Sequence, residues 1–268
     1  MRAVVAGLCW LAANGALLAA PPGQAQEEAL PVVQVAGLAD PDEQTYKRLL
    51  KGVQAFEQHR QLAPQASLRY RLVPRVEGVK LAGIEVALQG EGRRQPLALD
   101  ERLAFDLPRD ERALQEGARV VTNRKSRSFA WVPEVRTPGL PPQTRRLGDL
   151  RLECQIDRAA SLLVGYKPPA YLVLELSIDV CSQGGGNWLY YADRPLFNVT
   201  LVDGARRQPL FARNMYGSPI PAPLHIFYDF HPLLVDRTYI IKLSDTSWPD
   251  DTLVELEYME DTPQEPTP

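Results

Sequence analysis

Histidine, cysteine and methionine are scarce in this 268-residue chain, three of each. So few imidazoles and thiols leave little material for a metal site or a His-based acid–base centre. Charge of one sign is not in excess: 30 Lys and Arg stand against 33 Asp and Glu, a net charge of -3. That balance argues against a nucleic-acid-binding protein. There is no Gly-x-Ser-x-Gly elbow, no His-Glu-x-x-His helix and no phosphate-binding glycine loop; Gly184–Gly186 lacks the Lys and Ser/Thr of such a loop. After the first 20 residues no apolar run is long enough to span a bilayer.

Proline is plentiful, at 24 residues beside 18 glycines. That much proline disfavours a helix-rich body and points to short strands joined by stiff turns. With 45% hydrophobic residues the chain has ample material for a core.

Residues 1–25 read as a signal peptide: Arg2, an apolar stretch from Ala3 to Ala20, then a small-residue site at Gly23-Gln24-Ala25. Cleavage there implies a periplasmic or secreted protein with no further membrane segment, and it removes Cys9. Cys154 and Cys181 remain, and an even pair in an oxidising compartment predicts one disulfide.

Residues 26–39 read as a disordered lead-in. Asp40, Pro41 and Glu43 then form a helix-start pattern, followed by an apolar stripe at Tyr46, Leu49, Leu50, Val53 and Phe56. Beyond Pro64 the periodicity turns to two, with strands expected around Leu68–Leu72, Ile84–Leu88, Leu97–Leu107, Val120-Val121 and Phe129–Trp131. A helical turn is expected over Asp110–Glu116. The prolines of 133–142 suggest an extended connector, placing a linker at 133–146. A strand is expected at Leu150–Cys154, a short helix at Asp157–Val164, and further strands at 171–181, 197–202, 210–213, 225–230, 238–243 and 253–258. Residues 261–268 read as a disordered tail.

Val86–Leu97 and Val199–Leu210 align without a gap, seven of twelve positions matching, each a strand, a glycine turn and Arg-Arg-Gln-Pro-Leu. The expected organisation is therefore mainly β. One N-terminal amphipathic helix and a first β-sandwich domain span 40–132, and a second, disulfide-bearing sandwich spans 147–260. The hairpins resemble those of small transthyretin-like or immunoglobulin-like sandwiches, which is what implies the sandwich architecture.

Two groups of residues are candidate sites. His225, Asp229 and His231 share one face of a strand and are the only metal-ligand candidates beyond the cysteines. On extended backbone, though, they stand too far apart to reach one ion without a bend. Trp188, Tyr190 and Tyr191 beside the glycine run, with Trp131 behind a basic stretch, are candidates for a ligand-binding aromatic patch. His59 sits at the helix end, where imidazole suits the dipole. These residues lead to a non-catalytic module that binds a protein or envelope glycan and needs no cofactor. The alternative is a hydrolase of envelope polymer or peptide using Asp229 and His231. Intact-mass measurement of the exported protein is expected to give a chain starting at Gln26 and lighter than its reduced form by two hydrogen atoms.

Overall fold

In the computed structural model, residues 39–162, 179–183, 187–216 and 232–259 are described. Several sequence expectations lie outside these residues: the signal peptide, almost all of the lead-in, most of the 171–181 strand, the glycine run, the His225–His231 strand and the tail.

Strand β1 (Pro41–Thr45) leads directly into helix α1 (Tyr46–Gln58). The helix thus begins five residues later than the Asp40-Pro41 signal implied. Gln44 and Thr45 instead pair with Val120 and Arg119 of β6 (Arg119–Lys125), and the buried Asp42 turns toward another strand rather than capping a helix. The apolar stripe is as read: Tyr46, Leu49 and Phe56 are buried, while Leu50 and Val53 are partly covered.

The remaining strands are β2 (Ser67–Pro74), β3 (Val86–Gly90), β4 (Arg93–Leu97), β5 (Ala104–Phe105), β7 (Phe129–Arg136), β8 (Thr144–Arg146), β9 (Asn187–Tyr191), β10 (Leu196–Asp203), β11 (Arg206–Pro209), β12 (Thr238–Lys242) and β13 (Leu253–Tyr258). Helix α2 (Glu111–Gln115) occupies the expected turn, with the Asp110 carboxylate accepting from the Ala113 amide. The strands form four antiparallel sheets in the orders β1-β6-β3-β4, β5-β2-β7, β11-β10-β13-β8 and β12-β9. The protein is mainly β. The sheets do not by themselves establish immunoglobulin-like or transthyretin-like sandwiches, because both hydrophobic cores include a helix.

The two four-stranded sheets match strand for strand. In the β3–β4 hairpin Gly90 faces Arg93, and in β10–β11 Asp203 faces Arg206. Gly92 and Gly204 supply the positive φ that each turn needs. Val86 pairs with Thr122 of β6 as Val199 pairs with Leu256 of β13. Thr45 of β1 pairs with Arg119 as Arg146 of β8 pairs with Leu253, and a helix follows each of these edge strands at once.

Further segments differ from expectation: residues 210–213, expected as a strand, follow the end of β11, and Ala212–Asn214 form a 3-10 turn. Pro133–Arg136 continue β7, paired with β2 from Tyr70↔Pro133 to Ser67↔Arg136, where a connector was expected. Proline is tolerated there because a residue whose nitrogen points away from the partner strand contributes no donor to the ladder. Leu150–Cys154 belongs to helix α3 (Leu147–Ala160), not to a strand. Eleven of its fourteen residues are buried, so it has no single apolar stripe to read. Leu147, Leu150 and Cys154 enter one core with Tyr190, Val199, Tyr239 and Val254. Leu152, Ile156 and Ala160 enter the other with Leu49, Phe56, Tyr70 and Trp131.

Cys154 of α3 is bonded to Cys181, and both are buried. A cross-link over 27 residues stabilises by about 3–4 kcal/mol in the chain-entropy account. Replacing both cysteines with alanine is expected to lower unfolding free energy by about that amount in urea titrations. A reducing agent should reproduce the loss in the parent protein and do nothing to the double variant.

Candidate functional site

The densest chemistry lies where α3 meets the outer edge of β7. An unpaired strand edge presents amides that must find acceptors when buried. Carboxylates supply them. Asp42 accepts from the Phe129 amide at 2.8 Å and from Trp131 Nε1 at 2.9 Å. Glu153 accepts from the Val135 amide at 2.7 Å, and Asp149 from the Thr137 amide at 2.9 Å. Asp157 accepts from Trp188 Nε1 at 3.1 Å. Asp149, Glu153 and Asp157 are spaced by four, so they form one stripe along α3. All three are buried.

Buried carboxylates need cations. Arg145 donates to Glu153 at 2.5 Å and to the Val135 carbonyl at 2.9 Å. Burial disfavours charge on Arg145, but Glu153 outweighs it and holds the guanidinium above its ordinary pKa. Next to this pair, Arg71 bonds Asp193 and the Tyr191 carbonyl, and Arg102 bonds Asp193 at 3.0 Å and forms an ion pair with Glu134 at 2.7 Å. Burial pushes the Asp193 carboxyl up, yet Arg71 and Arg102 overcome it, and the net shift is downward. Burial alone dominates at Asp42, raising its pKa against the hydrogen bonds from Trp131 and Phe129.

Trp131, Trp188, Tyr190 and Tyr191, the aromatics proposed from sequence to bind a ligand, are each at most 6% exposed. Trp131 packs edge-on to Phe105, and Tyr190 packs beside Tyr239 with its hydroxyl on the Leu150 carbonyl. Trp188, Tyr190 and Tyr191 line an internal cavity of about 30 Å³ with Arg71, Arg145 and Glu153. The strand β9, on which three of these aromatics lie, pairs with β12 from Lys242↔Asn187 to Thr238↔Tyr191.

His225, Asp229 and His231 lie outside the described residues. His59 follows α1, its amide bonded to the Ala55 carbonyl. Among the described residues, no three His, Cys, Asp or Glu side chains group as a metal-ligand set. The carboxylates at the α3–β7 junction are held by amides and guanidiniums, so this arrangement can orient strands and carry fixed charge. Sequence reasoning missed Arg145, Asp149, Glu153 and Asp157. Their only signal is an acid repeat at a spacing of four within a stretch otherwise rich in apolar residues.

Asp193 tests the charge network. Its depressed pKa contributes stability above the unfolded value of about 3.9, which is lost as pH falls through the lower folded value. Asp193→Asn is expected to cost about 1–3 kcal/mol at pH 7 in urea unfolding. That deficit should shrink as pH drops below about 4, where the unfolded chain's carboxyl takes up a proton, and vanish once pH falls below the lower folded value. No family model, curated protein or solved structure matches this chain.

Proposed function

We propose that the protein is a non-catalytic binding module of the periplasm or cell exterior, and that its partner is another protein. The main support is a two-part apolar groove along α1. One depression of about 390 Å³ lies between α1 and α2, floored by Leu50, Val53 and Leu114. A second of about 270 Å³ lies between α1 and β2, lined by Val53, Phe56, Leu68 and Leu107. Both include Val53 and Glu57. Leu114 is 38% exposed, and the Glu57–Arg109 pair at 2.8 Å sits in water at the edge. Glu57, Asp106, Asp110 and Glu111 outnumber Arg60 and Arg109 among the lining residues. This surface suits a protein segment with apolar anchors and a basic residue able to displace Arg109 from Glu57.

Export is supported by the N-terminal sequence and by the Cys154–Cys181 disulfide, since such bonds persist in oxidising compartments. Among the described residues no helix is long and apolar enough to cross a membrane. We read the two four-stranded sheets as copies of one duplicated unit. The support is their shared strand order, their shared register and the helix after each edge strand. An envelope glycan is the other partner class consistent with this reading.

A displayed random-peptide library panned against the exported protein is expected to enrich apolar sequences flanked by Lys or Arg. Val53→Asp and Leu114→Asp should each abolish their binding, and Leu114→Asp, at the exposed position, should melt like the parent. No enrichment, or enrichment indifferent to both substitutions, counts against a protein partner. Saturable binding only on a parallel glycan array would keep the binding-module reading and transfer it to a glycan.

A further inference from the structure

We propose that Arg136, with Arg102 beside it, forms a binding site for one oxyanion: a phosphate, a sulfate or a carboxylate. The inference starts from a local imbalance of charge. Three guanidiniums converge on the Glu134 carboxylate: Arg102 at 2.7 Å, Arg136 at 3.5 Å and Arg71 at 3.9 Å. The nearby carboxylate of Asp193 is taken by Arg71 and by Arg102 at 3.0 Å. Arg145, the next cation inward, is matched by Glu153.

Three cations therefore share two acids, and the excess falls on Arg136. Among the described residues its one acid contact is the long approach to Glu134, at an oxygen that Arg102 already holds more closely. Its Nε is buried and has no hydrogen-bond partner, and the same is true of Arg71 Nε and Arg102 Nε. Burial, then repulsion from Arg145 and Arg102, pushes the Arg136 guanidinium down to about 10, so it stays charged at neutral pH. The acids and cations that face this cluster from neighbouring elements are Glu153, Asp193, Arg145 and Arg194, with Tyr258 beneath the Arg194 guanidinium at 4.2 Å.

The cluster is reachable. The side chains of Arg102 and Arg136 are 35% and 24% exposed. A planar guanidinium can bind two oxygens of one oxyanion side by side, which a point cation cannot do.

Thermal unfolding of the exported protein in phosphate, sulfate or acetate, at ionic strength matched with chloride, tests the site. At least one anion is expected to raise the melting temperature saturably. Arg136→Met should melt near the parent in chloride, because it removes a crowded cation, and should lose that rise. Arg112→Met, at an exposed pair remote from the cluster, should keep it. A response to phosphate and sulfate alone assigns a tetrahedral anion, and a response to acetate alone a carboxylate. Should Arg136→Met not fold, calorimetric titration of Arg136→Lys with the effective anion is expected to show affinity about tenfold weaker than the parent. The proposal is overturned if no anion exceeds chloride, or if the Arg136 variant responds as the parent does.

Discussion

Among the described residues, strand β7 has β2 on one side and no strand on the other, yet it is buried. Its outward amides must be satisfied without water, and unmet they would each cost about 1–3 kcal/mol. Asp42 and Glu153 satisfy two of them, Asp149 takes the Thr137 amide just past the strand, and Pro133 removes a donor from the strand. Much of the architecture follows from that requirement. Helix α3 has to lie against β7 so that its acidic stripe reaches the edge, and the helix is thereby buried on nearly every side.

A helix in that position belongs to both hydrophobic cores. Its apolar residues divide between them, Leu150 and Cys154 toward one and Leu152 and Ile156 toward the other. Sheet β5-β2-β7 is shared in the same way: Val73 and Ala130 join the first group while Tyr70, Leu72 and Trp131 join the second. The acidic stripe then calls for cations, and Arg145 answers it inside the protein. The network continues outward through Glu134 and Asp193, where arginines outnumber acids and the balance passes to solvent. One backbone requirement at a strand edge thus leads to a surplus of positive charge near the surface.

Much of the fold was legible in the sequence where elements have one buried face. The α1 stripe, the two Arg-Arg-Gln-Pro hairpins, the α2 turn capped by Asp110 and the Cys154–Cys181 pair all follow from local periodicity, turn chemistry or cysteine count. Reading failed where burial is two-sided or a polar group points inward. Leu150-Arg151-Leu152-Glu153-Cys154 alternates like a strand because Arg151 reaches out to the loop around Trp248 while Glu153 turns in to Val135. Asp40-Pro41 imitates a helix start, but ladder bonds to β6 and the engagement of Asp42 outweigh a local cap. Pro133 imitates a connector because composition does not reveal which way a nitrogen faces.

The candidate site divides along the same line. The aromatics Trp188, Tyr190 and Tyr191 are conspicuous in sequence, but their hydrogen bonds and ring packing are internal. Arg136 is inconspicuous among 30 basic residues and becomes distinctive only when Arg102 and Arg71 are seen to share its acid. By itself the sequence determined the mainly β class, the amphipathic α1 and the hairpin turns, because each depends on interactions between near neighbours in the chain. Only the tertiary structure decided that α3 is a helix serving two cores, that its acids cap a strand edge and that Arg136 is left over. Those outcomes depend on which partners meet across distant parts of the chain, and periodicity carries no record of that.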